Sequence, residues 1–285
     1  VIIMGNGIIQ AASISGSLDA KNIVMDVLTQ ANAMSGISRL FTVVPVPELV
    51  ATVPIQKPGA VAEDVEEFET TEISGGEFFH VDFDLKKDRV KMARSDEAVF
   101  KSKKGDPLAL QKVATAAELA GILDKKVVKA LETSPQTGAA AGVWSTVTNS
   151  PLIDFATAVA AIRPYKADFC IMPSAVHSKY LGTNAIQSLG TGNPGALEGC
   201  VGTVPTFNIP IFVDDNATAK TVTVGSAAGM AAIIGNGPVK VREWDAPNEG
   251  ATIYQIDVFR QVKAPIFKTD ASLNRAVYQI TAAIA

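Results

Sequence analysis

Between Glu63 and Asp84 the sequence carries nine acids and no Lys or Arg, and from Lys86 to Lys104 it carries eight bases against three acids. The acidic stretch belongs to a longer segment that cannot fold as a unit. From Leu40 to Ile55 the residues Phe41, Val43, Val44, Val46, Leu49, Val50 and Val53 give an extended pattern. Pro45, Pro47 and Pro54 cannot donate to a ladder, which places this stretch at a sheet edge or in an excursion. A turn at Lys57-Pro58-Gly59 precedes a second extended run, Val65 to Ile73, and Gly75-Gly76 precedes a third. In that third run Phe79, Val81, Phe83 and Leu85 alternate with His80, Asp82 and Asp84, the period of a strand with one buried face. Residues 40–85 read as a long two-stranded ribbon with a poor core of its own, and such a ribbon is marginal in water unless it leans on another surface. A neighbouring copy would supply one, with Glu63, Asp64, Glu66, Glu67, Glu69 and Glu72 of one chain against Arg89, Lys91, Arg94, Lys101, Lys103 and Lys104 of the next; Lys57 is a further candidate interface residue. The plainer reading of the same charges is a solvated face.

The remaining composition is that of a globular chain. With 285 residues, 47% hydrophobic and 19% charged, it makes one large domain or two modest ones and is far from the composition of a disordered chain. A net charge of −4 gives no global electrostatic pull toward nucleic acid, and no apolar run approaches the ~20 residues of a membrane helix. Cys170 and Cys200 are too few for a disulfide scaffold and lack zinc-ligand spacing; Cys170 reads as a small buried hydrophobe.

Along the chain, residues 1–17 read as an uncharged arm that lies on something else. Ser17 or Asp19 starts a helix to about Ser35, with Ile23, Val24, Val27, Leu28 and Ala31 on one face. Asp106-Pro107 is a helix start, and the helix runs through Leu110, Val113, Ala114, Ala117, Leu119, Ile122, Leu123, Val127, Val128 and Leu131. At 1.5 Å per residue it makes a rod of roughly 40 Å. A flexible connection follows at Thr137–Gly142. Then come a helix at Pro151–Ile162, a buried strand at Asp168–Met172, and a helix at Ser174–Leu181 capped by Ser174. A Gly-rich loop spans Thr183–Gly202. Strands are expected at Thr203–Val213, Thr221–Val224, Met230–Ile234, Val239–Trp244, Ala251–Val262 and Ala276–Thr281.

Catalytic patterns are tested and set aside. The two histidines, His80 and His177, lie far apart, and a Cys170–His177 dyad has no evident geometry. Gly190-Thr191-Gly192-Asn193-Pro194-Gly195 matches G-x-G-x-x-G formally, but without a strong strand before it and with Pro194 inside the turn it reads as loop glycines. Asp214-Asp215-Asn216 reads as a polar turn. No catalytic, cofactor or metal residues are expected. The enzyme alternative would use 183–202 as a lid, with His177, Glu198 and Cys200 beneath it.

The order of elements resembles the major capsid protein of tailed bacteriophages and tailed archaeal viruses, the Hong Kong 97 phage-type fold shared with encapsulins. The resemblance rests on Glu77 to Lys87 as the returning strand of an extended loop, Asp106 to Leu131 as a spine helix, and Ala167 to Ser174 with His177 to Leu181 as a strand-then-helix signature. Gly202 to Phe212, Val258 to Phe267 and Arg275 to Tyr278 add later strands. It implies an α+β fold with an N-terminal arm and helix (1–39), extended β-hairpin loop (40–85), peripheral domain with spine helix 106–131 (86–134 and 245–285) and axial domain (135–244). Gly190, Gly192 and Gly195 then belong to the axial loop. It further implies self-assembly into hexamers and pentamers of an icosahedral head enclosing double-stranded DNA without sequence-specific binding. The implied partners are scaffold, portal, maturation protease and cementing proteins, and the implied place is the virion, assembled in the host cytoplasm. Removal of a scaffolding segment would account for a chain starting at Val1. Some members join subunits by Lys–Asn bonds from the loop; Lys57 is the ribbon's only lysine and has no evident Asn partner, so cross-linking is not expected. The nearest alternative is an encapsulin shell protein.

Overall fold

A computed structural model describes residues 25–31, 34, 36–56, 78–95, 107–144, 150–189, 199–246, 250–266 and 273–284. The arm at 1–17, the acidic run at 65–73, the Asp106 cap and the glycines at 190–195 lie outside the described residues.

Residues 25–31 are helical (α1). A 3-10 turn at Ser38–Leu40 leads into β1 (Thr42–Pro45). β2 (Val50–Gln56) and β3 (Phe78–Asp84) pair antiparallel with each other alone, so the ribbon expected from the alternation is present. β1 is a correction to the 40–85 excursion. It leaves the ribbon and pairs parallel with β10 (Ile233–Ala246), as the edge strand its proline permits. A four-stranded sheet runs β1-β10-β11-β4, where β4 is Lys86–Ser95 and β11 is Ala251–Lys263.

The ribbon's root is better cored than its sequence suggests. Phe83 is 1% exposed and packs with Val46, Leu85 and Ile233. β10 makes room for it: a Cβ on Gly235 would stand 2.5 Å from the Phe83 ring, and one on Gly237 would stand 2.4 Å from Leu85. Gly235 precedes the bulge at Asn236/Val239 and Gly237 lies within it; Met230–Ile234 and Val239–Trp244, expected as two strands, are corrected to the single β10, which begins at Ile233 and crosses that bulge.

The long helix is α2 (Pro107–Leu131). Its buried stripe is Ala116, Leu119, Ala120, Leu123, Val127, Ala130 and Leu131, the i, i+3, i+4 spacing of one helix face. The apolar list in the sequence mixed two faces: Val113 is 44% exposed and Ala114 and Ala117 are exposed. The first half of the stripe packs with α1, β4 and β11 through Val27, Ala31, Val90, Met92, Tyr254, Ile256 and Val258. The second half joins Phe41, Phe169, Ile171, Phe212 and Val277.

Those last residues belong mostly to a six-stranded sheet, β5-β12-β9-β6-β8-β7. Its strands are β5 (Pro135–Ala139), β6 (Phe169–Met172), β7 (Cys200–Val204), β8 (Ile209–Val213), β9 (Val222–Gly225) and β12 (Asn274–Thr281). β6 is buried on both faces: Phe169 and Ile171 point to α2, Cys170 and Met172 to the other core. That core holds α3 (Pro151–Ala161), α4 (Ser174–Leu181) and α5 (Asn184–Leu189), with Trp144, Phe155 and Tyr180 clustered at ring separations near 6 Å. Buried Asp154 accepts from Trp144 Nε1 and Ala141 N, both at 2.8 Å.

Four further expectations are corrected. The connection at 137–142 is partly strand, because β5 pairs parallel with β12. The 183–202 loop is shortened by α5 at one end and β7 at the other. Thr203–Val213 is two antiparallel strands, β7 and β8, with Thr206 and Asn208 at positive φ in their turn. Ser174 does not cap α4; its backbone N–H donates to Asp215 at 2.8 Å, so the polar turn carries the cap.

Substituting Gly235→Ala is expected to push Phe83 off β10 and cost about 1–3 kcal/mol, checked by chemical denaturation. Asp154→Ala strands two buried donors and is expected to cost about 2–5 kcal/mol, with loss of the near-ultraviolet signal of Trp144.

Candidate assembly surfaces

Strand register sets the chemistry of the four-stranded sheet. On β4 the even positions Asp88, Val90 and Met92 turn toward α2, so Lys87, Arg89 and Lys91 turn to the opposite face. The pairing Lys87↔Phe259, Arg89↔Asp257 and Lys91↔Gln255 continues as Asp257↔Lys240 and Gln255↔Arg242. Five cations, Lys87, Arg89, Lys91, Lys240 and Arg242, therefore share one face with Asp257. Contacts confirm the shared face. Lys91 Nζ lies 5.8 Å from the Trp244 ring, and Lys240 Nζ lies 5.8 Å from the Phe259 ring, both within cation–π range.

Asp257 is the anchor beneath these cations. It is 2% exposed, accepts from Arg89 Nε at 2.7 Å and from Arg89 Nη2 at 3.2 Å, and receives Gln255 Nε2 at 3.1 and 2.9 Å. Arg89 holds the Asp257 carboxyl below its ordinary value, against the opposing effect of burial.

Of the expected interface residues, Arg89 and Lys91 stand on this face. Arg94, two positions beyond Met92 on β4, lies on the α2 side near Tyr254. Lys57, Glu63, Asp64, Glu66, Glu67, Glu69, Glu72, Lys101, Lys103 and Lys104, with Gly190, Gly192 and Gly195, lie outside the described residues. Lys240, Arg242 and Trp244 were not singled out from the sequence. The alternation in Lys240-Val241-Arg242-Glu243-Trp244 was the available signal, but only the fold brings it onto the same face as β4.

Cys170, His177 and Cys200, the described residues of the catalytic alternatives, are each held in packing or a local hydrogen bond. Cys170 is fully buried and its thiol is pushed up by burial. The His177 ring stacks on Tyr180 with centroids 6.4 Å apart, and burial holds it below its usual range. Cys200 Sγ donates to Gly202 O at 2.9 Å, and Glu198 is outside the described residues. Among the described residues no group of three or more His, Cys, Asp or Glu could hold a metal, and no helix is long and apolar enough to cross a membrane.

Because the folded Asp257 titrates below its ordinary value of 3.8, its contribution to stability is present above that pH and is lost as pH falls through the folded value. Arg89→Gln is expected to raise the Asp257 value in an NMR titration and move acid unfolding to higher pH.

No family model matches the chain and no curated protein matches it. Solved structures do. A virus-like particle from Pyrococcus furiosus matches with a TM-score of 0.62 at 10% identity, covering 91% of this chain and 98% of its own. The capsid of a native GTA particle matches at 0.56 and 14% identity, covering 87% and 89%. The holo-SrpI encapsulin of Synechococcus elongatus matches at 0.60 and 9% identity, covering 86% of each. The ribbon, the long α2 between two sheets and the helix-covered six-stranded sheet together make this the Hong Kong 97 phage-type capsid fold.

Proposed function

We propose that this chain is a structural shell subunit, the major capsid protein of a tailed virus. Copies close as hexamers and pentamers into an icosahedral head around double-stranded DNA. The observation that carries this reading is the fold likeness to chains of assembled particles, spanning nearly the whole of both chains. In this reading 86–134 with 245–285 forms the peripheral domain and 135–244 the axial domain. The Gly190–Gly195 segment lies near the symmetry axes, and the subunit is a component of the virion assembled in the host cytoplasm. Scaffold, portal, protease and cementing proteins are its expected partners.

The assembly contact is the acidic part of the ribbon, Glu63 to Glu72, against the cationic sheet face of a neighbour. Arg89 and Lys91 contribute to that face, and the fold adds Lys87, Lys240 and Arg242. Acidic run and cationic face are different surfaces of one chain, so the contact is heterologous and closes into rings where the rotation allows. A net charge of −4 suits a container that holds DNA without gripping it.

The encapsulin likeness supports a second reading, a cellular compartment around enzyme cargo. Electron microscopy of the purified protein with sedimentation tests the shared part: closed regular shells are expected, and a compact monomer or dimer across salt and concentration overturns it. Nuclease-protected DNA inside the shells identifies the virus, and copurifying enzyme cargo identifies the compartment. For the contact, reversing Glu66, Glu67 and Glu69 to Lys is expected to raise the concentration needed for assembly by about tenfold or more at low salt. That corresponds to a few tenths to about 1 kcal/mol from each exposed pair. Unaltered particle yield and salt response exclude it.

A further inference from the structure

On the α2 side of the same sheet, a cleft of about 250 Å³ opens between the C-terminal half of α2 and the junction of β4 with β11. Its lining includes Lys86, Lys126, Lys129, Arg260, Gln261 and Thr133. Four cations at one cleft are unexpected in a chain with a net charge of −4.

Two of them are tied into the fold. Lys126 Nζ donates to both Asp88 oxygens at 2.7 Å and to Arg260 O at 3.3 Å. Arg260 is 6% exposed; its Nη2 donates to Leu119 O at 3.4 Å, and its Nε has no hydrogen-bond partner, with Asp88 Oδ2 at 3.8 Å. A buried guanidinium donor without an acceptor is costly, and burial depresses the Arg260 value. The carboxylates acting on this guanidinium are Asp88 and Asp124, and Asp124 is turned to the Gly36 and Ser38 N–H groups at 3.3 and 3.0 Å. Lys86 and Lys129 carry no ion pair among the described residues. Four cations against two carboxylates leave a surplus of about two charges around a small recess.

We propose that this cleft binds a phosphate group, with Lys86 and Lys129 closing on it and the charge of Lys126 and Arg260 behind them. A phosphate brings up to two negative charges and several acceptor oxygens within one compact group, which matches the surplus. A single carboxylate would leave half of it unmet. Free phosphate and the phosphodiester backbone of nucleic acid share this chemistry. The proposal does not depend on the assembly reading.

The test uses the full chain as purified, titrated with inorganic phosphate at constant ionic strength and monitored by calorimetry and thermal unfolding. Lys86→Gln/Lys129→Gln alters only exposed ends and leaves the Asp88–Lys126 pair in place; Lys179→Gln on α4 is the control. Phosphate is expected to stabilise the wild-type chain and the control, with at least about tenfold weaker binding in the double variant. No phosphate response in the wild type, or an equal response in wild type and double variant, overturns the proposal. So does tighter binding of polyglutamate than of phosphate. A short DNA duplex separates the sources. If the double variant also loses duplex affinity and its salt dependence becomes shallower by about one or two, the backbone is the source. If duplex binding is unchanged while phosphate binding is lost, the site takes the free anion.

Discussion

The fold depends on a single apolar stripe that α2 divides between two sheets. From Ala116 to Leu119 it seals the four-stranded sheet against α1, and from Leu123 to Leu131 it seals the six-stranded sheet. One 25-residue helix serves both, so its stripe ties the two sheets to each other. The polar contacts follow the same logic. Lys126 fastens α2 to β4 through Asp88, and Asp124 receives the backbone of the turn before β1. Cutting the stripe at Leu123 or Val127 would separate two cores, where a cut at Val113 would remove a side chain that faces outward.

Long periodic elements were legible in the sequence and short paired ones were not. α2, α3 and α4 carry their signals locally, in Pro107, Pro151 and their apolar spacing. β6 was visible because Phe169 to Met172 is uniformly apolar, as a strand covered on both faces must be. β5 was missed since Pro135-Gln136-Thr137-Gly138-Ala139 has no apolar pattern of its own; its strand character comes from pairing with a strand at the far end of the chain, Gln136 opposite Tyr278 and Thr137 opposite Gln279. The expectation of one long loop over 183–202 failed for a similar reason. α5 is only six residues, too short for helical periodicity to accumulate, and it is held by the Thr183 carbonyl accepting from Ile186 and Gln187.

The surface chemistry was half legible. Charge segregation along the chain pointed to β4, but a strand shows its two faces alternately, and Arg94 turns to the side opposite Arg89 and Lys91. Adding β10 to the same face needs the sheet order, which no local pattern contains. The cleft beside Arg260 is less visible still, since its four cations come from three separate elements.

β3 passes into β4 with only Leu85 between them, and the ribbon is rooted there by Phe83 on Gly235 and Leu85 on Gly237. The ten residues of β4 pair with β11 through a ladder whose bonds run perpendicular to the strands. A pull on the ribbon along this direction therefore acts on all those bonds together, in shear, where a pull across the sheet would part them one by one. β3 and β4 thus act as a tension member joined to its anchor plate: load on β3 is passed to β4 and shared along its ladder.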